Sequence, residues 1–253
     1  MLSSRRSRVP VAVAALALLL VAGCSETGQP AAAKPSPVLD HCAVDVSAAR
    51  QVTFANGAGG QLRGTVFGAG GTGIVLANQA NSSRCAWEDK HGIFTGKQYR
   101  VLAFDFAGHG ESSDAEQLSG ADDVAAAAAL LRAEGVTTIV LIGASKGAGA
   151  VLAAAATITP PVGAVVALSS GGESDGRDLT KVVNKLTMPV LYLASDYDSG
   201  AAENVKVLGP LTTSPGTEHH VLTSVTGHGI PMLVEDEVKT LVTDFLAKHA
   251  PAA

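Results

Sequence analysis

A chain of 253 residues that is 47% apolar is long enough for one large domain plus a short remainder, and can bury a sizeable core. Only 4% of it is aromatic, so that core must be built from Ala, Val, Leu and Ile, as in layered helix–sheet packing. The net charge is −5, and removing Arg5, Arg6 and Arg8 leaves 15 of the 18 basic side chains against 23 acidic ones, without the basic footprint that nucleic-acid binding needs.

Residues 1–23 read as a secretory leader: three arginines, the unbroken apolar run Val11 to Ala22, then small residues. Twelve apolar residues are too few to cross a ~30 Å hydrocarbon layer as a helix. Leu20-Val21-Ala22-Gly23-Cys24 closely resembles the bacterial lipobox, which implies lipidation of Cys24 and a membrane anchor on the outer face of the cell; an ordinary cleaved signal is the alternative. Several acyl chains anchor stably because each buried CH2 contributes ~0.8 kcal/mol. Residues 24–40, rich in Pro, Ala, Ser and Gly beyond the cysteine, are expected to be a flexible tether, and residues 41–253 a single folded domain. Export places the remaining cysteines, Cys42 and Cys85, in an oxidising compartment, where a disulfide between them is expected.

Within the domain, Gln51–Phe54 and Leu62–Phe67 read as a hairpin around a Gly-rich turn. Short apolar strands follow at Gly73–Ala77, Arg100–Phe106, Thr138–Gly143, Gly163–Ser169, Pro189–Ala194 and His219–Thr223. Helical stretches alternate with them at Asp122–Ala133, Lys146–Ala156, Asp178–Leu186, Ala201–Leu208 and Met232–His249. Apolar runs of four to seven residues alternating with helices imply parallel strands joined by right-handed crossovers. The expected fold is α/β: a three-layer α/β/α sandwich on a mostly parallel sheet.

The sharpest motif is Gly143-Ala144-Ser145-Lys146-Gly147, directly after the strand TIVLIG and directly opening an Ala-rich helix. A serine on so tight a strand-to-helix turn is strained and exposed, and the residues two before and two after it must be tiny. It also sits at a helix N-terminus, where the dipole favours developing negative charge. From Gly73 to Gly147 and on to the C-terminus the chain resembles the α/β-hydrolase superfamily. Asp105-Phe106-Ala107-Gly108-His109-Gly110-Glu111-Ser112 is similar to that superfamily's D-x-x-G-x-G-x-S segment, which shapes a turn and makes His109 a loop residue. About twenty residues separate Ser169 from Pro189, too few for a large cap, and this minimal plan resembles the dienelactone-hydrolase type.

The resemblance implies a chain order of nucleophile, acid, base. Among the histidines after Ser145, His228 in Thr226-Gly227-His228-Gly229 holds the base's position; His219, His220 and His249 read as strand-edge or terminal residues. The segment Pro189 to Asp198 resembles the strand that carries the acid, with Asp198 as candidate and Asp196 as rival; Glu173, Asp175 and Asp178 are more distant alternatives. An oxyanion hole requires two backbone N–H donors. Lys146 is one candidate, and Gln79 or Ala80 the other, in a loop where the superfamily usually has His-Gly and this chain has Asn78-Gln79. The Lys146 side chain reads either as a solvated residue or as a contact for an acidic substrate group. Together these features imply a serine hydrolase of small carboxylic esters or thioesters that needs no metal or other cofactor. The competing class is a ligand-binding lipoprotein on the same fold whose triad does not turn over. Alanine at position 145 separates them.

Overall fold

Strand formation follows the period-two burial of branched side chains. In β3 (Thr72–Ala77), Ile74 and Leu76 join the apolar cluster on one face of the sheet and Val75 and Ala77 the cluster on the other; in the strand Val190–Ser195, Leu191 and Leu193 oppose Tyr192 and Ala194 in the same way. The computed structural model describes Cys42, residues 49–117 and residues 119–253, all within the unit Asp40–Ala253. The expected leader, Cys24 and the tether lie outside the described residues. No helix among the described residues is long and apolar enough to cross a membrane.

The main sheet comprises β1 (Arg50–Ala55), β2 (Gln61–Phe67), β3, β4 (Arg100–Phe104), β5 (Thr138–Ala144), β6 (Ala164–Leu168), β7 (Val190–Ser195) and β8 (Glu218–Leu222), in the spatial order β1-β2-β4-β3-β5-β6-β7-β8. β2 pairs antiparallel with both β1 and β4, and the other pairs are parallel. The helices α3 (Gly120–Ala133), α4 (Lys146–Ala155) and α5 (Ser199–Leu211) cover one face. The short α1 (Cys85–Glu88) and α2 (Gly92–Thr95), with α6 (Asp236–His249), cover the other. This is the three-layer, mostly parallel architecture expected. Strand order reverses beside β3, because β4 lies on one side of it and β5 on the other; such a reversal opens a crevice at the carboxyl ends of the strands, where open α/β sheets bind ligands.

Two sequence expectations are corrected, and two short helices are added. Asp178–Leu186 is not a helix: the Asp178 carboxylate accepts the Thr180 N–H (3.0 Å), and the chain forms two 3₁₀ turns, Leu179–Lys181 and Val183–Lys185. Its neighbouring valines and Asn184 resist a longer helix. Met232–His249 is two elements, a 3₁₀ turn over Ile230–Val234 and then α6, broken where Glu235 turns extended (φ −80°, ψ 132°). The helices α1 and α2, one turn each, carry too little periodicity to be seen in sequence.

Cys42 and Cys85 are bridged, with Cα atoms 5.0 Å apart. Closing 43 residues of sequence separation removes unfolded-state entropy worth about 4 kcal/mol. The bridge fixes the start of α1, whose preceding residue Arg84 is almost wholly buried. Arg84 bonds the Asp105 carboxylate (2.7 Å) and Glu111 (2.7 Å), and lies 3.3 Å from Glu88. Opposing charges on three sides raise its pKa against the lowering by burial. Asp105 also accepts the Arg84 and Glu111 N–H groups, at 2.7 and 3.1 Å. Gly110 is required here, since a Cβ on it would lie 2.3 Å from that carboxylate. The D-x-x-G-x-G-x-S segment is therefore structural, as expected: it clamps the loop that follows β3.

Candidate active site

β5 runs directly into α4, and the residue at the junction, Ser145, has φ 53° and ψ −113°. A positive φ is costly for a residue with a Cβ and persists only where the surroundings over-determine it. Here they do. The Ser145 N–H donates to Leu168 O of β6 (2.8 Å), and its carbonyl accepts the Gly149 N–H (3.1 Å) that opens α4. The two glycines of the motif have steric reasons. A Cβ on Gly143 would lie 2.2 Å from Gly147 O; one on Gly147 would lie 2.2 Å from Ala77 O and 2.7 Å from Asn78 O. The obstacles are backbone and cannot yield. The same closeness sets the end of β3, and the loop leaving it, against α4.

Gly147→Ala is accordingly expected to cost about 3 kcal/mol or more through overpacking, seen in thermal melts as a fall of roughly 10 °C or as loss of soluble protein. Gly92→Ala, where an added Cβ meets nothing within 4 Å, is the neutral control.

Asp198 leaves β7 and His228 lies in the loop after β8. Their side chains meet: the His228 Nδ1–H donates to Asp198 Oδ2 at 2.6 Å. That bond fixes Nε2 as the nitrogen free to accept a proton. Asp198 precedes α5 without capping it through its side chain, so its carboxylate is left for the imidazole. The rival Asp196 is exposed on the same turn, held through its backbone N–H to Leu222 O (2.9 Å). The more distant acids point elsewhere. Asp178 bonds Thr180, Asp175 lies 3.4 Å from the Ala121 N–H, and Glu173 is exposed in a two-residue hairpin strand. His219 packs against Gly209, His220 pairs with Glu218 (3.7 Å), and His249 packs on Phe245.

Three polar side chains, each from the end of a different strand, pin the His228 loop. Ser195, ending β7, donates to Val225 O (2.5 Å). Ser169, following β6, accepts the Gly229 N–H (3.0 Å). Gln79, following β3, accepts the Ile230 N–H through Oε1 (3.1 Å). Gly229 has φ 65°, and a Cβ there would lie 2.6 Å from Gln79 Oε1 and 3.2 Å from Ala144 Cβ. The His228 loop therefore packs directly against the residue preceding Ser145. Ser145 Oγ itself makes no hydrogen bond to another described residue.

The Lys146, Gln79 and Ala80 N–H groups make no hydrogen bond to another described residue, so each remains able to donate. The Lys146 ammonium lies 5.2 Å from the Phe106 ring centre and 3.3 Å from His109 Nε2. His109 Nδ1 must carry its proton to meet Ala107 O (3.0 Å), leaving Nε2 to accept from Lys146. Behind them, burial raises the Asp123 carboxyl above its usual range, against the lowering by the Ala107 N–H and Asn56.

A cleft of about 590 Å³ opens beside Gln79, lined by the apolar Ala86, Ile230, Pro231 and Val234 and by Cys85, Asp89 and Lys90. A separate cavity of about 250 Å³ between α2 and α6 contains none of the groups above. Sequence reasoning missed the pinning roles of Ser169, Ser195 and the Gln79 side chain, and the contact between His109 and Lys146.

The family model described as the alpha/beta hydrolase fold matches residues 86–191, a span that includes Ser145. Among solved structures, an esterase of Pyrococcus furiosus superposes with a TM-score of 0.71 at 19% identity, over 79% of this chain and 90% of that one. A predicted CIB-like hydrolase of Thermoplasma acidophilum does so at 0.65 and 20%, over 79% and 99%. A thermophilic esterase of Thermogutta terrifontis does so at 0.64 and 16%, over 79% and 98%. No curated protein matches the sequence.

Proposed function

We propose that this chain, which has the α/β-hydrolase fold, is a serine hydrolase of small carboxylic esters or thioesters. The observation that carries the reading is the His228–Asp198 pair, 2.6 Å apart, on a pinned loop that packs against the strained turn of Ser145. Catalytic hydrogen bonds are often open in ligand-free sites and tighten with substrate, as the Ser145–His228 contact would.

In this mechanism His228 Nε2 takes the proton of Ser145 Oγ as the oxygen attacks the acyl carbon. Asp198 holds the imidazole in the required tautomer and stabilises its charged form. The Lys146 N–H and an N–H of Gln79 or Ala80 hold the oxyanion, where the N-terminus of α4 adds its dipole. His228 then returns the proton to the leaving oxygen or sulfur. Water, deprotonated by the same imidazole, releases the acid from the acyl-enzyme and restores Ser145.

Between Ser169 and Pro189 the chain forms a two-stranded hairpin and two 3₁₀ turns, with no large cap over the site. An uncapped site suits compact or surface-presented esters. The cleft beside Gln79 would receive the apolar part of the substrate. The Lys146 ammonium already rests on Phe106 and His109, which favours a role for its backbone over one in binding an acidic substrate group. We further propose that a lipid on Cys24 holds the domain at the outer face of the membrane; mass spectrometry of the N-terminal peptide tests this.

A fluorophosphonate probe should label the full chain at Ser145, and a panel of acetyl to octanoyl esters should be turned over. A folded sample that neither labels nor turns over any ester would overturn this reading in favour of the ligand-binding one.

A further inference from the structure

Gln79 stands where the resemblance leads one to expect a small residue with a free backbone, yet its side chain is engaged. Its Oε1 accepts the Ile230 N–H at 3.1 Å, two residues beyond His228. The fit is close: Gly229, at φ 65°, lies between Gln79 Oε1 and Ala144, and even a methyl group there would intrude to 2.6 Å from that oxygen. The other end of the Gln79 loop is fixed independently. Asn78 Nδ2 donates to Ser82 O (2.8 Å), and Arg84 is clamped by Asp105 and Glu111. Asn78 O lies within 2.7 Å of where a Cβ on Gly147 would stand. Gln79 thus joins a loop anchored against the nucleophile's helix to the loop that carries the base.

We propose that Gln79 is a positioning residue that locks the oxyanion loop to the base loop, so that the oxyanion donors and His228 keep one register about Ser145. The two loops leave strands β3 and β8, at different places in the sheet, and Gln79–Ile230 is the side-chain hydrogen bond that joins them among the described residues. The Ser169 and Ser195 contacts fix the base loop to its own side of the sheet only. Without the Gln79 bond the Ile230 N–H, which is partly buried, loses its acceptor, and the turn that sets the His228 backbone is free to shift. A displacement near 1 Å at a catalytic group costs about a hundredfold in rate.

This role in catalysis rests on the serine-hydrolase reading; the loop-to-loop lock does not. Two substitutions in the full chain separate them. Gln79→Met keeps the length of the side chain and removes the acceptor, and Gln79→Glu keeps the acceptor. Hydrogen–deuterium exchange over residues 227–234 should quicken at least tenfold in Gln79→Met and stay near wild type in Gln79→Glu, with the melting temperature of both close to the parent. Equal protection in wild type and Gln79→Met would overturn the lock. Where the wild type turns over esters, kcat of Gln79→Met should fall about tenfold to a hundredfold, with KM changed less than threefold. Faster exchange with kcat unchanged would overturn the positioning role and leave the lock. A wild type that neither labels nor hydrolyses fails the serine-hydrolase reading, and the exchange measurement still decides the lock.

Discussion

Ser145→Ala should remove ester turnover almost entirely, lowering kcat by about a million-fold if the triad works as a unit, and should abolish fluorophosphonate labelling. The fold should survive. The serine side chain makes no hydrogen bond to another described residue, and the strained backbone at φ 53° is held by main-chain contacts with Leu168 and Gly149 that alanine retains. Melting temperature should therefore move by no more than a few degrees while activity disappears. Residual turnover within tenfold of the parent would place the nucleophile elsewhere. Ligand binding with unchanged affinity in the alanine variant of a chain that never hydrolysed its ligand would instead identify a binding protein on this fold.

The strained turn at Ser145 is legible in the sequence because its requirements are local. Two glycines at fixed spacing, a preceding apolar strand and a following Ala-rich helix are contiguous, and the structure gives each glycine a backbone obstacle within 2.7 Å. The strands were legible for a similar reason, since runs such as GIVLA and PVLYLA are buried on both faces. What the sequence does not show are the contacts that position the His228 loop. Ser195 reaches across 30 residues to Val225, Ser169 across 60 to Gly229, and Gln79 across 151 to Ile230. A lone Ser or Gln at a strand end has no periodicity to announce it. Its partner is a backbone N–H or carbonyl, which every residue offers. In the sequence Gln79 stands out only as a backbone N–H donor, whereas its side chain makes the link to the His228 loop. The local errors have local causes: Asp178 caps a 3₁₀ turn where a longer helix was expected, and Glu235 breaks the last helical pattern in two.

Asp198→Asn should lower kcat/KM by about a thousandfold to ten-thousandfold, whereas Asp196→Asn should stay within about threefold of the parent. The two carboxylates lie two residues apart on one turn, and the resemblance favours Asp198 with Asp196 as its rival. Position differs sharply. Asp198 Oδ2 receives the His228 Nδ1–H at 2.6 Å, while Asp196 is exposed and held by its backbone. Asparagine at 198 can present its amide NH2 to Nδ1, which favours the tautomer whose proton sits on Nε2, facing the serine it should deprotonate. The loss would be catalytic rather than structural, because the Asp198 side chain does not cap α5 and the base loop keeps its bonds to Ser195, Ser169 and Gln79. Steady-state kinetics on the best ester, with melting curves for both variants, decides the matter. Comparable losses at both positions would mean that the turn's overall charge, rather than one oriented carboxylate, supports the imidazole. A large loss at 196 alone would exchange the two roles.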